Sequence, residues 1–567
     1  MLSGIAGSAG IGIGRAVLLS DEPPHYTPHP VADPQAERGR FDRAAEAFGE
    51  RTRQMAERVA RTAGEKEANI LRGQMQMMAD PVLLAEIRER IGSGTCAEAA
   101  LEEVCGVYEE MFRSAGDELT RQRAADVRDI RTRMLRELLG APKADLTALP
   151  AGSVVVAEDL TPSMTAGIDR EHVVGIVTET GGKTSHSAIL ARALGIPAVL
   201  SVSGALCALR EGDTVVVDGA KGEVVGSPDG EALRRYTALR EADLRRREEL
   251  RRYRGQKTRT ADGAEKELFC NIGRPNDIAD VLENDGEGIG LLRTEFLFMD
   301  RPAAPSEEEQ LEAYRAVAVG MKGRPVIIRT LDVGGDKDIP YLNLQAEQNP
   351  FLGFRAVRYC LGHTELFKTQ LRALLRAAVE GDVRILIPLV TAIWELRAVK
   401  ALVNTCAAEL EQEGIPCKRE VPIGVMIETP AAAETADLLA KEAAFFSIGT
   451  NDLIQYMLAV DRGNARVEYL YSPYDPAVLR AIRRVIQAAE SAGIPVGMCG
   501  EAAADPLLTP LLLSFGLREF SVTPAAVLET RRSLSMWSKQ EADAVTAQAL
   551  RLQTAEEVCA CLKREER

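Results

Sequence analysis

The sequence predicts a multidomain α/β protein, in which a helical subdomain and a small α/β domain precede a connector helix and a C-terminal (β/α)8 TIM barrel. Three observations carry this prediction. Helical periodicity runs almost unbroken from 33 to 139, short β-branched runs surround a single helix between 153 and 218, and after Gly255 eight apolar runs alternate with helical stretches. A chain of 567 residues also exceeds one ordinary core, which agrees with several domains.

The first 20 residues read as a small Gly-rich strand. Gly10, Gly12 and Gly14 form G-x-G pairs there, but no helix follows them, so a dinucleotide loop is rejected. Four Ala/Arg/Glu-rich helices are expected over 33–139, with Gly64, Asp80-Pro81, Gly92 to Thr95 and Gly116 as the interruptions. Strand candidates at 153–157, 173–177, 198–200 and 214–218 then complete an α/β domain made of 1–20 and 141–230, with 21–140 as a helical insertion. Residues 231–254 are charge-dense with little apolar face, the pattern of a solvated connector, and 231–255 is taken as the linker. The barrel domain is 256–567, with strands at 268–272, 288–293, 326–330, 384–389, 423–428, 445–450, 495–500 and 519–522. A doubly wound sheet is the structural alternative.

Composition narrows the function. The net charge of −15 argues against nucleic acid or an anionic membrane as partner, so an anionic substrate needs a locally basic pocket. No apolar run approaches the ~18 residues of a membrane span, and the N-terminus lacks the basic region of a signal peptide. Ten cysteines without paired or zinc-type spacing suit a reduced, cytoplasmic enzyme.

Two places carry chemistry. His186, one of five histidines, sits in Gly-Gly-Lys-Thr-Ser-His-Ser-Ala-Ile-Leu-Ala-Arg, at the start of an apolar-periodic stretch. Free backbone N–H groups there favour an anion, and a neutral imidazole is a nucleophile able to carry a phosphoryl group. A histidine that only caps and packs fits the same local sequence. In a barrel, chemistry sits at the C-terminal strand ends. Those ends supply Arg293, Arg329 with Asp332, Glu428, the Gly449-Thr450-Asn451-Asp452 run, and Cys499 with Glu501, while Arg355 and Arg462 lie in loops expected on the same face. Arginine forks match phosphate and carboxylate oxygens, and Glu428 and Asp452 offer hard oxygen ligands suited to Mg²⁺. For Cys499 two readings stand, a lone thiol that delivers a proton and a small core residue.

The motif around His186, together with GLLRTEFLFMDR, IIRTLDVGGDK, NPFLGFRAVR, GVMIETPAA, FFSIGTNDLIQY and GMCGE, resembles the signature segments of enzyme I, the phosphoenolpyruvate–protein phosphotransferases of the bacterial sugar phosphotransferase system. The resemblance covers nearly the whole chain and keeps the family's motif order. It implies that His186 takes the phosphoryl group of phosphoenolpyruvate on Nε2 and passes it to the phosphocarrier HPr. Thr165 matches a threonine that hydrogen-bonds this histidine. Arg293, Arg329, Asn451, Asp452, Arg462 and Arg355 fall in the substrate-binding segments, Glu428 and Asp452 match the Mg²⁺ ligands, and Cys499 matches the residue that protonates the enolate. The 1–20 and 141–230 pieces would then be the phosphohistidine domain, 21–140 the HPr-docking subdomain with 65–84 in its contact surface, and the barrel the site of homodimerisation. A shared phosphohistidine domain leaves an ATP-linked phosphoenolpyruvate synthase or pyruvate phosphate dikinase as one alternative, although no Gly-rich nucleotide loop precedes His186. A non-catalytic regulatory relative is the other.

Overall fold

The computed structural model describes residues 1–567 except 20–23, 63–64, 115–117, 141–148, 161–163, 165–167, 169–171, 183–184, 300, 335–338, 343, 346, 465 and 566–567. The chain divides into two compact units, Met1–Arg247 and Glu248–Arg567.

The first unit is built on an eight-stranded sheet. Its strands are β1 (Leu2–Ser3), β2 (Ile5–Ser8), β3 (Ile11–Leu19), β4 (Ser153–Ala157), β5 (Val173–Thr178), β6 (Ala198–Leu200), β7 (Thr214–Asp218) and β8 (Glu223–Gly226), in the spatial order β1-β8-β7-β3-β4-β5-β6-β2. The single N-terminal strand read from the sequence is thus three strands. They do not lie together: β1 pairs with β8, β2 with β6, and β3 lies between β7 and β4. The glycines explain how. A Cβ on Gly12 would stand 2.1 Å from the Val174 carbonyl oxygen, and one on Gly14 2.1 Å from that of Gly152, so these glycines serve close backbone approach rather than a nucleotide. Both faces of the sheet are covered. Val155 and Ala157 of β4 join one apolar cluster while Val154 and Val156 join another, which accounts for an unbroken apolar strand without alternation.

Between β3 and β4 the chain forms helices α1 (Pro34–Thr62), α2 (Glu65–Met78), α3 (Pro81–Gly92), α4 (Ala97–Arg113) and α5 (Glu118–Leu139) around a core that includes Phe41, Ile87, Leu101 and Met134. The four expected helices are five among the described residues. Asp80 ends one and begins another: its carboxylate accepts from the Val82 and Leu83 amides while Pro81 takes the first helical position, where no N–H is needed. A further helix, α6 (His186–Leu194), is capped by Ser185 and closed by Gly195 in the left-handed conformation. The charge-dense stretch is helix α7 (Gly230–Arg251), largely exposed apart from the buried Tyr236, whose hydroxyl donates to Glu223 of β8 at 3.2 Å. No helix among the described residues is long and apolar enough to cross a membrane.

The second unit is a closed barrel of eight parallel strands: β9 (Glu267–Ile272), β10 (Ile289–Arg293), β11 (Val326–Arg329), β12 (Val383–Ile387), β13 (Ile423–Ile427), β14 (Phe446–Ile448), β15 (Val496–Met498) and β16 (Glu519–Val522). Pairing of β16 with β9 closes the ring and excludes the doubly wound alternative. Most strands stop a residue or two short of the apolar runs read from the sequence. Their polar last residues leave the ladder for other duties: Thr450 opens a helix, and Glu428 and Cys499 point into the site described next.

Candidate active site

At the C-terminal strand ends, Arg293, Arg329, Arg355, Glu428, Asn451, Asp452, Arg462 and Cys499 line one cavity of about 600 Å³, in company with Glu295, Asp332 and Glu501. Every barrel residue singled out from the sequence is therefore brought together, from seven separate segments of chain.

Local structure fixes each side chain. The ends of β10 and β11 are tied by Thr294 Oγ1, which donates to the Arg329 carbonyl at 2.9 Å, and by Gln370, which accepts from the Leu331 amide at 2.9 Å and donates to Thr294. This buried polar frame aims Arg329 across the barrel top. Arg355 precedes Ala356, a non-glycine residue held at φ 51°, and a Cβ on Gly334 (φ 103°) would collide with its side chain at 2.6 Å. Leu389 is strained as well (φ 54°), and its amide donates to Glu428 Oε1 at 2.6 Å. Backbone strain at two residues that orient site groups is the pattern expected where positioning outweighs local stability.

The arginines are not loose cations. Arg329 pairs with Glu295 at 2.7 Å and Asp332 at 3.1 Å. Arg355 pairs with Asp332 at 2.8 Å and Asp452 at 3.6 Å, and Arg462 with Asp452 at 3.2 Å. Burial opposes the charge on Arg329 and Arg355, and the surrounding carboxylates outweigh it, so both stay protonated. Each also keeps a buried Nε without a hydrogen-bond partner. Such unmet donors are costly unless a ligand meets them.

Burial pushes the Glu428 carboxyl up to about 8, with the negative charge of Asp452 and Asp332 adding to the effect. Arg329 and Arg355 oppose the shift. Among the described residues no three His, Cys, Asp or Glu side chains converge as a closed metal cage. An open pair suits Mg²⁺, which keeps several waters and completes its shell with substrate oxygens. Gly449 preserves the space, since a Cβ on it would stand 2.9 Å from Glu428 Oε2.

Cys499 is buried against Leu291, Ile327, Leu386, Met426 and Phe445. Burial pushes its thiol up to about 11, and Ser447 Oγ donates to its Sγ at 3.2 Å. The thiol therefore carries a proton at neutral pH yet borders the arginine cavity, so it is both a core residue and an available acid. Its backbone carbonyl is held by Asn271 Nδ2 at 3.0 Å. Beside it, Asn451 and Glu501 exchange hydrogen bonds of 3.0 and 3.3 Å.

In the first unit, His186 takes the first helical position of α6, with the Ser185 side chain accepting from the Ala188 amide at 3.3 Å. The chain is fastened both before and after His186. Ser201 Oγ donates to the Gly181 carbonyl at 2.6 Å, and Asp159 accepts from Ser187 Oγ and from the Leu160 amide, both at 2.8 Å. Thr165 lies outside the described residues.

The sequence alone did not single out Glu295, the Ser447 hydroxyl or Asn271 as site residues, and it gave Asp332 no role. Glu295 and Asp332 carry a faint signal, two residues after Arg293 and three after Arg329. Ser447 and Asn271 lie 52 and 228 residues from Cys499 and have none.

Three family models match stretches of the chain. The PEP-binding domain of PEP-utilising enzymes matches 247–538, their N-terminal domain 3–123 and their mobile domain 149–222. The phosphoenolpyruvate-protein phosphotransferase of Bacillus subtilis is 43% identical over 99% of this chain and 99% of its own. The protein of that name from Listeria monocytogenes is 44% identical over 98% of each chain, and the one from Staphylococcus carnosus is 43% identical over 98% of this chain and 97% of its own. The chain belongs to the phosphoenolpyruvate–protein phosphotransferase family. Among the described residues, the barrel cavity holds the buried Arg329 and Arg355, and the start of α6 leaves backbone N–H groups free of intrahelical partners.

Proposed function

We propose that the protein transfers the phosphoryl group of phosphoenolpyruvate to His186, releases pyruvate, and passes the group to a histidine of the phosphocarrier HPr. One observation supports this above the others: four arginines, two ligand-type carboxylates and a protonated thiol line a single cavity. Arg293, Arg329, Arg355 and Arg462 bind and orient the phosphate and carboxylate oxygens, with Asn451 beside them. Glu428 and Asp452 would hold Mg²⁺, which when bound neutralises charge on the phosphoryl oxygens and the departing enolate. As His186 forms its N–P bond, the P–O bond to the enolate breaks, and Cys499 gives its Sγ proton to the enolate carbon to leave pyruvate.

The reading divides the chain into a phosphohistidine domain (1–20 and 141–230), an HPr-docking subdomain (21–140), a linker (231–255) and the barrel (256–567). His186 must reach the barrel cavity for one transfer and leave it for the other, with Gly226 to Gly230 and Gly255 as the swivel points. By the family resemblance, Thr165 is the residue assigned to support the His186 imidazole. HPr docks over a surface that includes 65–84, where Val82 stands exposed, as do Val107 and Met111 on α4. The active form is a cytoplasmic homodimer joined through the barrel. Ten free cysteines suit that reducing compartment.

Phosphoenolpyruvate with Mg²⁺ is expected to add one acid-labile phosphoryl group, seen by intact-mass spectrometry, that His186→Ala abolishes and an HPr carrier removes. An unchanged mass would overturn the reading.

A further inference from the structure

A second buried acid lies inside the barrel, outside the roles assigned above. Glu519 is the first residue of β16, is 6% exposed, and its Oε1 has no hydrogen-bond partner. Its carboxyl points into the barrel interior. A Cβ on Gly497 would stand 2.7 Å from its Cδ, and one on Gly290 2.6 Å from its Oε1. These two glycines make the space that the carboxyl fills.

The strand register shows what the carboxyl faces. Gly497 pairs with Glu519 on one side and with Ser447 on the other, so the three residues form one layer across β14, β15 and β16. Because Gly497 has no side chain, the carboxyl lies over it, about one strand spacing of ~4.8 Å from the Ser447 position. That separation is within reach of one bridging water. Ser447 Oγ in turn donates to Cys499 Sγ at 3.2 Å.

We propose that Glu519 is the proton reservoir of the active site, restoring the Cys499 thiol through the Ser447 hydroxyl from the N-terminal mouth of the barrel. This rests on the reading of Cys499 as proton donor. The step balances. After Cys499 has given its proton to the enolate carbon, the thiolate takes the Ser447 proton, Ser447 Oγ takes one from the Glu519 carboxyl, and the carboxylate recovers its own from bulk water. The route keeps reprotonation away from the face where phosphoenolpyruvate sits.

The charges around the relay fit this direction of flow. Burial pushes the Glu519 carboxyl up to about 8, Glu267 adds to the effect, and Arg384 and Arg518 oppose it, so a proton is present at neutral pH. Glu267 and Arg518 stand partly in solvent at the strand starts, where the reservoir refills.

The test compares two exchange rates in one reaction, phosphoenolpyruvate with labelled pyruvate in D₂O. Label exchange counts passages through the enolate, and deuterium in the pyruvate methyl group counts renewals of the thiol proton. In Glu519→Gln and in Ser447→Ala, deuterium uptake per label exchange is expected to fall at least tenfold. A wild-type ratio in both variants, with Cys499→Ala having lost label exchange, overturns the relay and leaves the proton donor standing. Normal label exchange in Cys499→Ala overturns both. A fall in Glu519→Gln alone removes Ser447 from the path. Should Glu519→Gln not fold, Ser447→Ala carries the test by the same ratio.

Discussion

Replacing Asp332 by Asn tests whether the arginines work because they are held or merely because they are positive. Asp332 is buried between two of them, accepting from Arg355 at 2.8 Å and pairing with Arg329 at 3.1 Å. Asn keeps the shape and removes the charge. Hydrogen bonds to a charged partner contribute about 1.5–3 kcal/mol against about 0.5–1.5 for a neutral one, so each of the two contacts loses about 1 kcal/mol. If that loss of about 2 kcal/mol reaches the transition state, kcat/KM falls roughly 30-fold. The opposing effect is plain attraction: one negative charge fewer would draw the trianionic substrate in more tightly. Steady-state pyruvate formation with a saturating carrier, measured over a range of phosphoenolpyruvate, separates the two, with a urea melt to show that the variant is folded. A lower KM with kcat unchanged would refute the positioning argument, because Asp332 would then be only a competing anion.

Three further outcomes are expected. Arg531 is 1% exposed and donates to Thr258, the Tyr253 carbonyl and the half-buried Asp285, so Arg531→Met removes a charge-assisted hydrogen bond and should lower barrel stability by about 1.5–3 kcal/mol in urea unfolding. Asp80→Ala removes the cap of α3 and should cost about 1 kcal/mol, read as a lower melting temperature of a fragment-free, full-length chain. Glu519 holds its proton in the folded state up to about 8, well above its unfolded value, so its stabilising effect is complete below the unfolded pKa and is lost as pH rises through 8. The contribution therefore declines by at most about 1.4 kcal/mol per pH unit in that window, and Glu519→Gln should flatten the profile. An unchanged pH slope would mean that the carboxyl titrates normally.

Barrel strands were legible because most are short runs rich in Val, Ile, Leu, Met or Phe, and several give way to a polar residue where the strand leaves the ladder. Ser185 and Gly195 likewise announce both ends of the His186 helix. Partnerships were not legible. Nothing in the order of residues says that Arg329 turns to Glu295, or that Ser447 meets Cys499, because those choices are made by barrel curvature and strand register. The count of helices between β3 and β4 came out one short, although the four interruptions read from the sequence are the four places that separate the five helices. The Gly-rich start was read as one strand because alternation says nothing about which distant neighbour each strand will find.

That start sets an order of events in folding. The first 19 residues supply both edges and a central strand of the sheet, and their partners lie beyond residue 152. During synthesis they emerge before these partners and must wait, unpaired, while the whole helical insertion and then β4 to β8 appear. The helices can close on local contacts meanwhile, but the sheet cannot settle until its earliest residues are threaded into three separate places. The long-range return of residues 2–19 is therefore the step expected to be slow in building this unit.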